Sequence, residues 1–353
     1  MTPQSNPSPT HRFPLHRLAT AATLACGVLL TACGGGGDSA PPVQTVAPLS
    51  QPDAMADSAN SSGTGNDTAS AMDTVLDTTS ALAATTATVA SASSDRVQVQ
   101  SASTEAAPAA AGVANVTVNC AGGGTATLSI TGGTAASELN GQLDAGEHYS
   151  VAYAQCTGAA GYAQLNGSVE MDVTAADHTT TPATLAVSLT VAHLALSLPS
   201  GTATLDGTAT ISRSVVASGG TTTTTSHVTV PSATLATAFN SRSGTFTLSN
   251  LDATRTLTSV AGVTTASQYN GHHTLSGTAN GRTFSMTVAT TGNVNYDATG
   301  TLVSGAWTVV RPTATIATTL ANGTVILTVD DGNDGTIDHT WTFTAAQLNA
   351  AAG

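Results

Sequence analysis

From Val113 onward the chain alternates apolar and polar residues with a period of two, the signature of half-buried strands. Val116, Val118 and Cys120 share one face, as do Ala126, Leu128 and Ile130, and Val169, Met171 and Val173. Leu185, Val187, Leu189 and Val191 form the cleanest run, after which the phase flips to Leu194, Leu196 and Leu198. One extra residue at Ala192-His193, a β-bulge, would restore a continuous inner face. Turns are equally legible. Asn280-Gly281 and Asn322-Gly323 are the dipeptide of two-residue type I′ hairpins, and Asp334-Gly335 turns into a run where Ile337, His339, Trp341 and Phe343 share a face. Leu165-Asn166-Gly167, Leu205-Asp206-Gly207 and Leu275-Ser276-Gly277 recur inside strand-like runs, where glycine suits a bend. The pattern predicts an all-β domain over residues 113–353, a large curved antiparallel sheet built from meander hairpins, barrel-like or folded as a sandwich.

Residues 33–112 lack this periodicity. They are Ser, Ala, Thr, Asp, Gly and Pro with no aromatic, too little apolar area to offset the entropy of ordering, so they read as a disordered, low-complexity tether. Within it, Met72, Val75, Leu76 and Leu82 fall partly in helical register, which leaves room for a weak alanine-rich helix in the segment from Met55 to Ala90.

Residues 1–32 place Arg12 and Arg17 ahead of an apolar run, Leu18 to Ala32, too short to span a bilayer. The run closes on Leu30-Thr31-Ala32-Cys33, followed by Gly34 to Gly37. This segment resembles the signal peptide and lipobox of bacterial lipoproteins. The resemblance implies cleavage before Cys33, acylation of Cys33 by palmitate-type chains, and a membrane contact made through that lipid alone. Several chains anchor stably where one would not. Gly34 is not the aspartate that retains related lipoproteins at the inner membrane, so the resemblance implies the outer membrane, with the periplasmic or surface face left open. The lipobox followed by glycines is also similar to surface lipoproteins of Gram-negative bacteria, including transferrin-binding types with β-barrel domains on glycine-rich tethers. The cysteine pair and Leu-Asn-Gly strands resemble the style of uncharacterised proteobacterial lipoproteins.

Composition narrows the partners. The chain has no lysine, and beyond residue 32 six arginines face 21 acids, a formal charge of −15 (6 − 21). No basic footprint exists for nucleic acid. Cys120 and Cys156 remain after processing, and in an exported chain such a pair reads as one disulfide rather than a metal site, because neither has acidic or histidine neighbours.

Candidate chemistry is sparse. No Gly-x-Ser-x-Gly elbow, Ser-x-x-Lys pair, zinc helix or phosphate loop occurs, so no catalytic residue is assigned. His272 and His273 would point to opposite faces of a strand, one to solvent and one to the core edge. His193 and His339 read as core histidines. The acidic run Asp330 to Asp338 resembles the calcium loops of EF-hand and dockerin type. That resemblance implies Asp330, Asp334 and Asp338 as side-chain ligands and the Thr336 carbonyl as a further one for weakly bound Ca²⁺, the only cofactor implied. Gly332 and Trp341 stand where that family has ligands, and a plain acidic hairpin loop is the alternative. The expected function is a non-enzymatic, lipid-anchored envelope protein with a structural or binding role, its protein or small-molecule partner unknown. A carrier of lipids or other hydrophobes is the alternative, if the sheet encloses an apolar cavity. A hydrolase of envelope material comes last, since nothing pairs Glu147, Glu170 or Asp172 at a glycosidase separation.

Overall fold

The computed structural model describes residues 48–351, apart from 93–113 and short gaps at 121, 135–136, 138–139, 158–163, 199–200, 240–241 and 280. Residues 1–32, Cys33 and most of the flanking stretches read as tether lie outside the described residues, as does Asn280 of one expected turn.

Fifteen strands form one antiparallel meander. It opens with β1 (Ala114–Asn119), β2 (Thr125–Thr131) and β3 (His148–Thr157). Six long strands follow: β4 (Gln164–Asp177), β5 (Ala183–Leu198), β6 (Gly201–Ser218), β7 (Thr221–Phe239), β8 (Arg242–Val260) and β9 (Val263–Ala279). The rest are β10 (Arg282–Thr290), β11 (Val294–Asp297), β12 (Leu302–Arg311), β13 (Ala314–Ala321), β14 (Thr324–Asp331) and β15 (His339–Thr344). Each pairs with its sequence neighbour, except that β11 lies between β9 and β12 beside the end of β10. The order runs from β1 to β15 without those two pairing, so among the described residues no strand pairing closes this large antiparallel sheet into a barrel. Asn322 and Gly323 both take positive φ, as a type I′ turn requires. Cys120 and Cys156 form the disulfide, Cα–Cα 5.3 Å, tying the end of β1 to β3. Closing this loop contributes about 3–4 kcal/mol in the chain-entropy model.

Residues 51–92 depart from the tether expectation. They form a 42-residue helix, α1 (Gln51–Ala92), seated across the inner face of the sheet. Ser50 caps it, its Oγ 3.4 Å from the Asp53 amide, and Pro52 sits in the first turn where its missing N–H costs nothing. The buried side of α1 is Ala54, Ser58, Ser61, Gly65, Ala69, Asp73 and Leu76, at helical spacing but built of small and polar residues. Small residues let the helix backbone approach the sheet closely. At Gly65 an added Cβ would stand 2.0 Å from the Tyr269 hydroxyl. The apolar period is confined to the stretch from Met72 to Leu82, which leaves room in the sequence for only a weak helix; the rest of this side carries almost no apolar stripe to announce it.

Polar contacts fix the seat. The Ser58 and Thr318 hydroxyls lie 2.6 Å apart, and Trp307 Nε1 donates to the Ser58 carbonyl at 3.1 Å. Asp57 pairs with Arg311, and the Leu49 amide donates to Asp331 Oδ1 at 3.1 Å. The strongest anchor is Asp73. Its carboxylate takes Arg213 on one oxygen (2.9 Å) and Arg255 on the other (3.0 Å), and accepts the Ser226 hydroxyl at 2.6 Å, all three groups nearly buried. Burial raises the pKa of Asp57, with Arg311 opposing, and raises that of Asp67, with Arg255 opposing. A short helix, α2 (Ala345–Ala351), follows β15 and buries Leu348. One hydrophobic core runs from Leu128 on β2 to Phe343 on β15 and includes the small residues of α1.

A line of irregularities crosses the middle of the sheet. Gln155, His193 and Asn250 hold left-handed backbone on β3, β5 and β8, with the pairing register shifting at each. His193 therefore stands at the expected bulge, but its ring is exposed and paired with Asp206 at 2.9 Å, which corrects its assignment to the core. The extra residue of a bulge loses its ladder partner. Here the following strand supplies one: Asn166 Oδ1 accepts the Gln155 amide at 2.8 Å and Asp206 Oδ1 accepts the His193 amide at 2.7 Å. Leu-Asn-Gly and Leu-Asp-Gly thus each deliver an Asx cap. Opposite the Asn250 bulge β9 places His273 rather than an Asx residue, and Asn270-Gly271 lies farther along, across from Thr254 and Ala253. Leu275-Ser276-Gly277 sits in unbroken register. Pro231, which has no amide to offer a ladder, falls in β7 where two residues oppose one of β6.

The buried charges and the buried imidazole each make a prediction. Asp73→Ala leaves two buried guanidiniums facing each other and lowers the unfolding free energy in urea by about 3–5 kcal/mol, whereas Asp57→Ala, at the more exposed pair, costs about 1 kcal/mol or less. His273 is 1% exposed. Burial, then the neighbouring His272, depresses its pKa to about 4. A base held neutral in the fold but free to protonate when unfolded contributes stability above its unfolded pKa, about 6.5, and that stability is lost as the pH falls toward 4. Urea midpoints at pH 7 and pH 5 should differ more in the parent than in His273→Leu, by about 2 kcal/mol in free energy.

Candidate functional site

The line of bulges also shapes the outer face. Between β9 and its neighbours, Ala289 pairs with His272 and Val294 with Tyr269, so five chain steps match three. The two surplus residues buckle the chain around Thr290 to Asn293. On the other side of β9 the Asn250 bulge bends β8 at its middle. The two deformations leave a groove of ≈ 590 Å³ on the outer face, lined by Asp252, Thr254, Thr256, Gln268, Asn270, Gly271, His272, Ala289, Thr290 and Asn293.

Alternation places these groups. Residues 252, 254 and 256 on β8 and 268, 270 and 272 on β9 project outward, while Leu251, Ala253, Ser267, Tyr269 and His273 point into the core. His272 and His273 therefore divide as expected, one to each face.

Hydrogen bonds among the lining groups hold them in place. Thr290 Oγ1 accepts the Gly271 amide at 2.9 Å and donates to Asn270 Oδ1 at 2.8 Å. Asn293 Nδ2 donates to Gln268 Oε1 at 3.3 Å. Asp252 Oδ1 pairs with His227 Nε2 of β7 at 2.9 Å. These bonds use the carbonyl oxygens of Asn270 and Gln268 and one oxygen of Asp252. They leave the two amide NH₂ groups, the second carboxylate oxygen, the Thr254 hydroxyl and the His272 ring for a ligand. The arrangement offers donors and acceptors side by side, without a lysine, arginine, Phe, Tyr or Trp among the lining residues.

The sites expected from sequence stand elsewhere. In the loop between β14 and β15, Asp330 accepts the amides of Asp334 (3.1 Å) and Gly335 (2.9 Å), Asp334 accepts that of Thr336 (2.8 Å), and Asp338 accepts that of Asp331 (2.8 Å). The acids cap their own loop, and among the described residues no group of three His, Cys, Asp or Glu is placed to hold a metal ion. Of the three carboxylates considered for hydrolysis, Glu147 is buried and accepts the Asp144 amide (2.8 Å) and the Tyr149 hydroxyl (2.7 Å). Glu170 is exposed, and Asp172 is paired with His148 at 2.6 Å. His339 is half-buried, stacked on Trp341 with ring centroids 5.2 Å apart. Among the groove residues only His272 stands out in the sequence. Asn270-Gly271 carries the one available signal, as a further Asx-Gly pair inside a strand.

No family model, curated protein or solved structure matches the chain.

Thr290→Val removes the acceptor of the Gly271 amide while keeping the side-chain shape. Hydrogen exchange at Gly271 should accelerate by about tenfold, the loss expected for one hydrogen bond, with the β13–β14 amides unchanged.

Proposed function

We propose that the protein is a lipid-anchored, exported protein of the outer membrane that works by binding rather than by catalysis. The address rests on Leu30-Thr31-Ala32-Cys33 behind its short apolar run. The observation that carries the binding role is the division of labour between the two faces of the sheet. α1 lies on the inner face and fills it with its own side chains, Ala54, Ser58, Ala69 and Leu76 having no exposed surface. Where α1 crosses, that face has no room for a hydrophobic cargo. The outer face, by contrast, carries a pre-shaped groove of unused donors and acceptors beside the crease.

Anchoring by the lipid makes a direct prediction. Cys33→Ala abolishes incorporation of labelled palmitate and moves the protein from the membrane fraction to the soluble fraction of the envelope. Retention in the membrane with unchanged labelling refutes the anchor. Turnover of an envelope substrate by the purified protein, lost on a single substitution, refutes the binding role.

A further inference from the structure

We infer that the outer groove is a recognition subsite for a neutral, hydroxyl-rich ligand, a saccharide unit of an envelope or extracellular glycan. This assignment rests on the binding role proposed above and names its ligand class.

Charge excludes the anionic classes first. Neither lysine nor arginine lines the groove, so a phosphate or carboxylate would find no counter-charge, and the surplus of acids over the whole chain repels it. Polarity excludes hydrophobes. The lining side chains are amides, hydroxyls, an imidazole and a carboxylate, with Ala289 the one apolar contribution, so an apolar ligand would strand these groups without water or partners. A sugar ring offers what remains. Its vicinal hydroxyls each donate and accept, and the free groups here are of both kinds: NH₂ of Gln268 and Asn270, the second oxygen of Asp252, and the Thr254 hydroxyl. The volume, ≈ 590 Å³, suits one or two rings.

Preorganisation is the second argument. Gln268 is held by Asn293 and Asn270 by Thr290, so the amide planes are set before a ligand arrives and little side-chain entropy is lost on binding. These bonds use only the carbonyl ends, and each leaves its NH₂ unspent. No Phe, Tyr or Trp stands in the groove for a sugar to stack on, so a single unit binds weakly and a repeating glycan gains by multivalency.

The test uses the full-length protein in a non-glycosidic detergent. Titration calorimetry and saturation-transfer NMR are run with maltotetraose, cellotetraose and chitotetraose, and with tetragalacturonate as the acidic control. At least one neutral tetrasaccharide should bind in the millimolar range and tetragalacturonate should not. Thr254→Val combined with Gln268→Glu removes one hydroxyl and one NH₂ while keeping the Gln268 acceptor position. It should weaken binding about tenfold or more, the effect of losing two hydrogen bonds, with an unchanged circular dichroism spectrum. Absence of binding by all three neutral probes, binding unaltered in the double variant, or preference for the acidic probe overturns the assignment. Photocrosslinking in intact cells from p-benzoylphenylalanine at position 268 separates the two levels. A crosslink to a polypeptide rejects the saccharide and leaves a binding role, whereas no crosslink together with no saccharide binding removes both.

Discussion

A sheet with one apolar face cannot stand alone in water, and everything else in this molecule follows from how that face is covered. The cover is α1, drawn from a stretch too polar to fold by itself. Its centre, Ser58 to Thr68, is rich in Ser, Gly, Asn and Thr, poor helix formers that gain their order from the sheet beneath. Asp73 is the pivot of that arrangement. Two arginines brought into the inner face would be uncompensated buried charges without a carboxylate, and a carboxylate brought there without them would be equally unpaired. The three charges are mutually necessary, and they fix the registry of helix on sheet more sharply than apolar packing of alanine, serine and glycine could. The outlying contacts, Asp57 with Arg311 and Ser58 with Thr318 and Trp307, set the other end of the helix against β12 and β13.

The crease is the sheet's own answer to length. Strands of 14 to 19 residues run from β4 to β9, and an uninterrupted meander of that width must twist or break. Here it bends along one line, with left-handed residues at Gln155, His193 and Asn250. Each costs on the order of 1 kcal/mol in backbone strain. At the first two, an Asx side chain on the next strand recovers the orphaned amide. The same line that bends the core inward buckles β10 into β11 and opens the groove outward. Core geometry and candidate site are two consequences of one set of bulges, which is why groove residues lie beside the structural ones in sequence: Asn270 with Tyr269, His272 with His273.

The candidate site was only faintly legible in the chain. Asp252, Thr254, Gln268 and Asn293 are ordinary outward-facing polar residues on ordinary strands, and nothing in their spacing marks them. What unites them is a difference of two residues between β9 and the β10–β11 segment, visible only once the pairing is known. The acidic run at Asp330 to Asp338 was conspicuous in the sequence for the opposite reason. Its acids cluster locally because a tight loop needs side-chain acceptors for its own amides, and the same composition resembles a calcium loop.

Much of the sheet could be read directly, because period-two alternation and Asn-Gly turns act over a few residues and need no knowledge of the rest. Alternation set the strand faces, the phase change between Val191 and Leu194 located a bulge, and the pair Cys120 and Cys156 foretold its disulfide. Whether the sheet closed could not be read, since that depends on β1 and β15, separated by nearly the whole domain. The place of α1 could not be read either. A helix whose buried side is alanine, serine, glycine, one aspartate and one leucine has almost no hydrophobic period of its own. Its partners, Arg213, Arg255 and Thr318, are 140 or more residues away. Local periodicity is written in the chain, whereas charge pairing and steric fit between distant segments exist only after the sheet has brought them together.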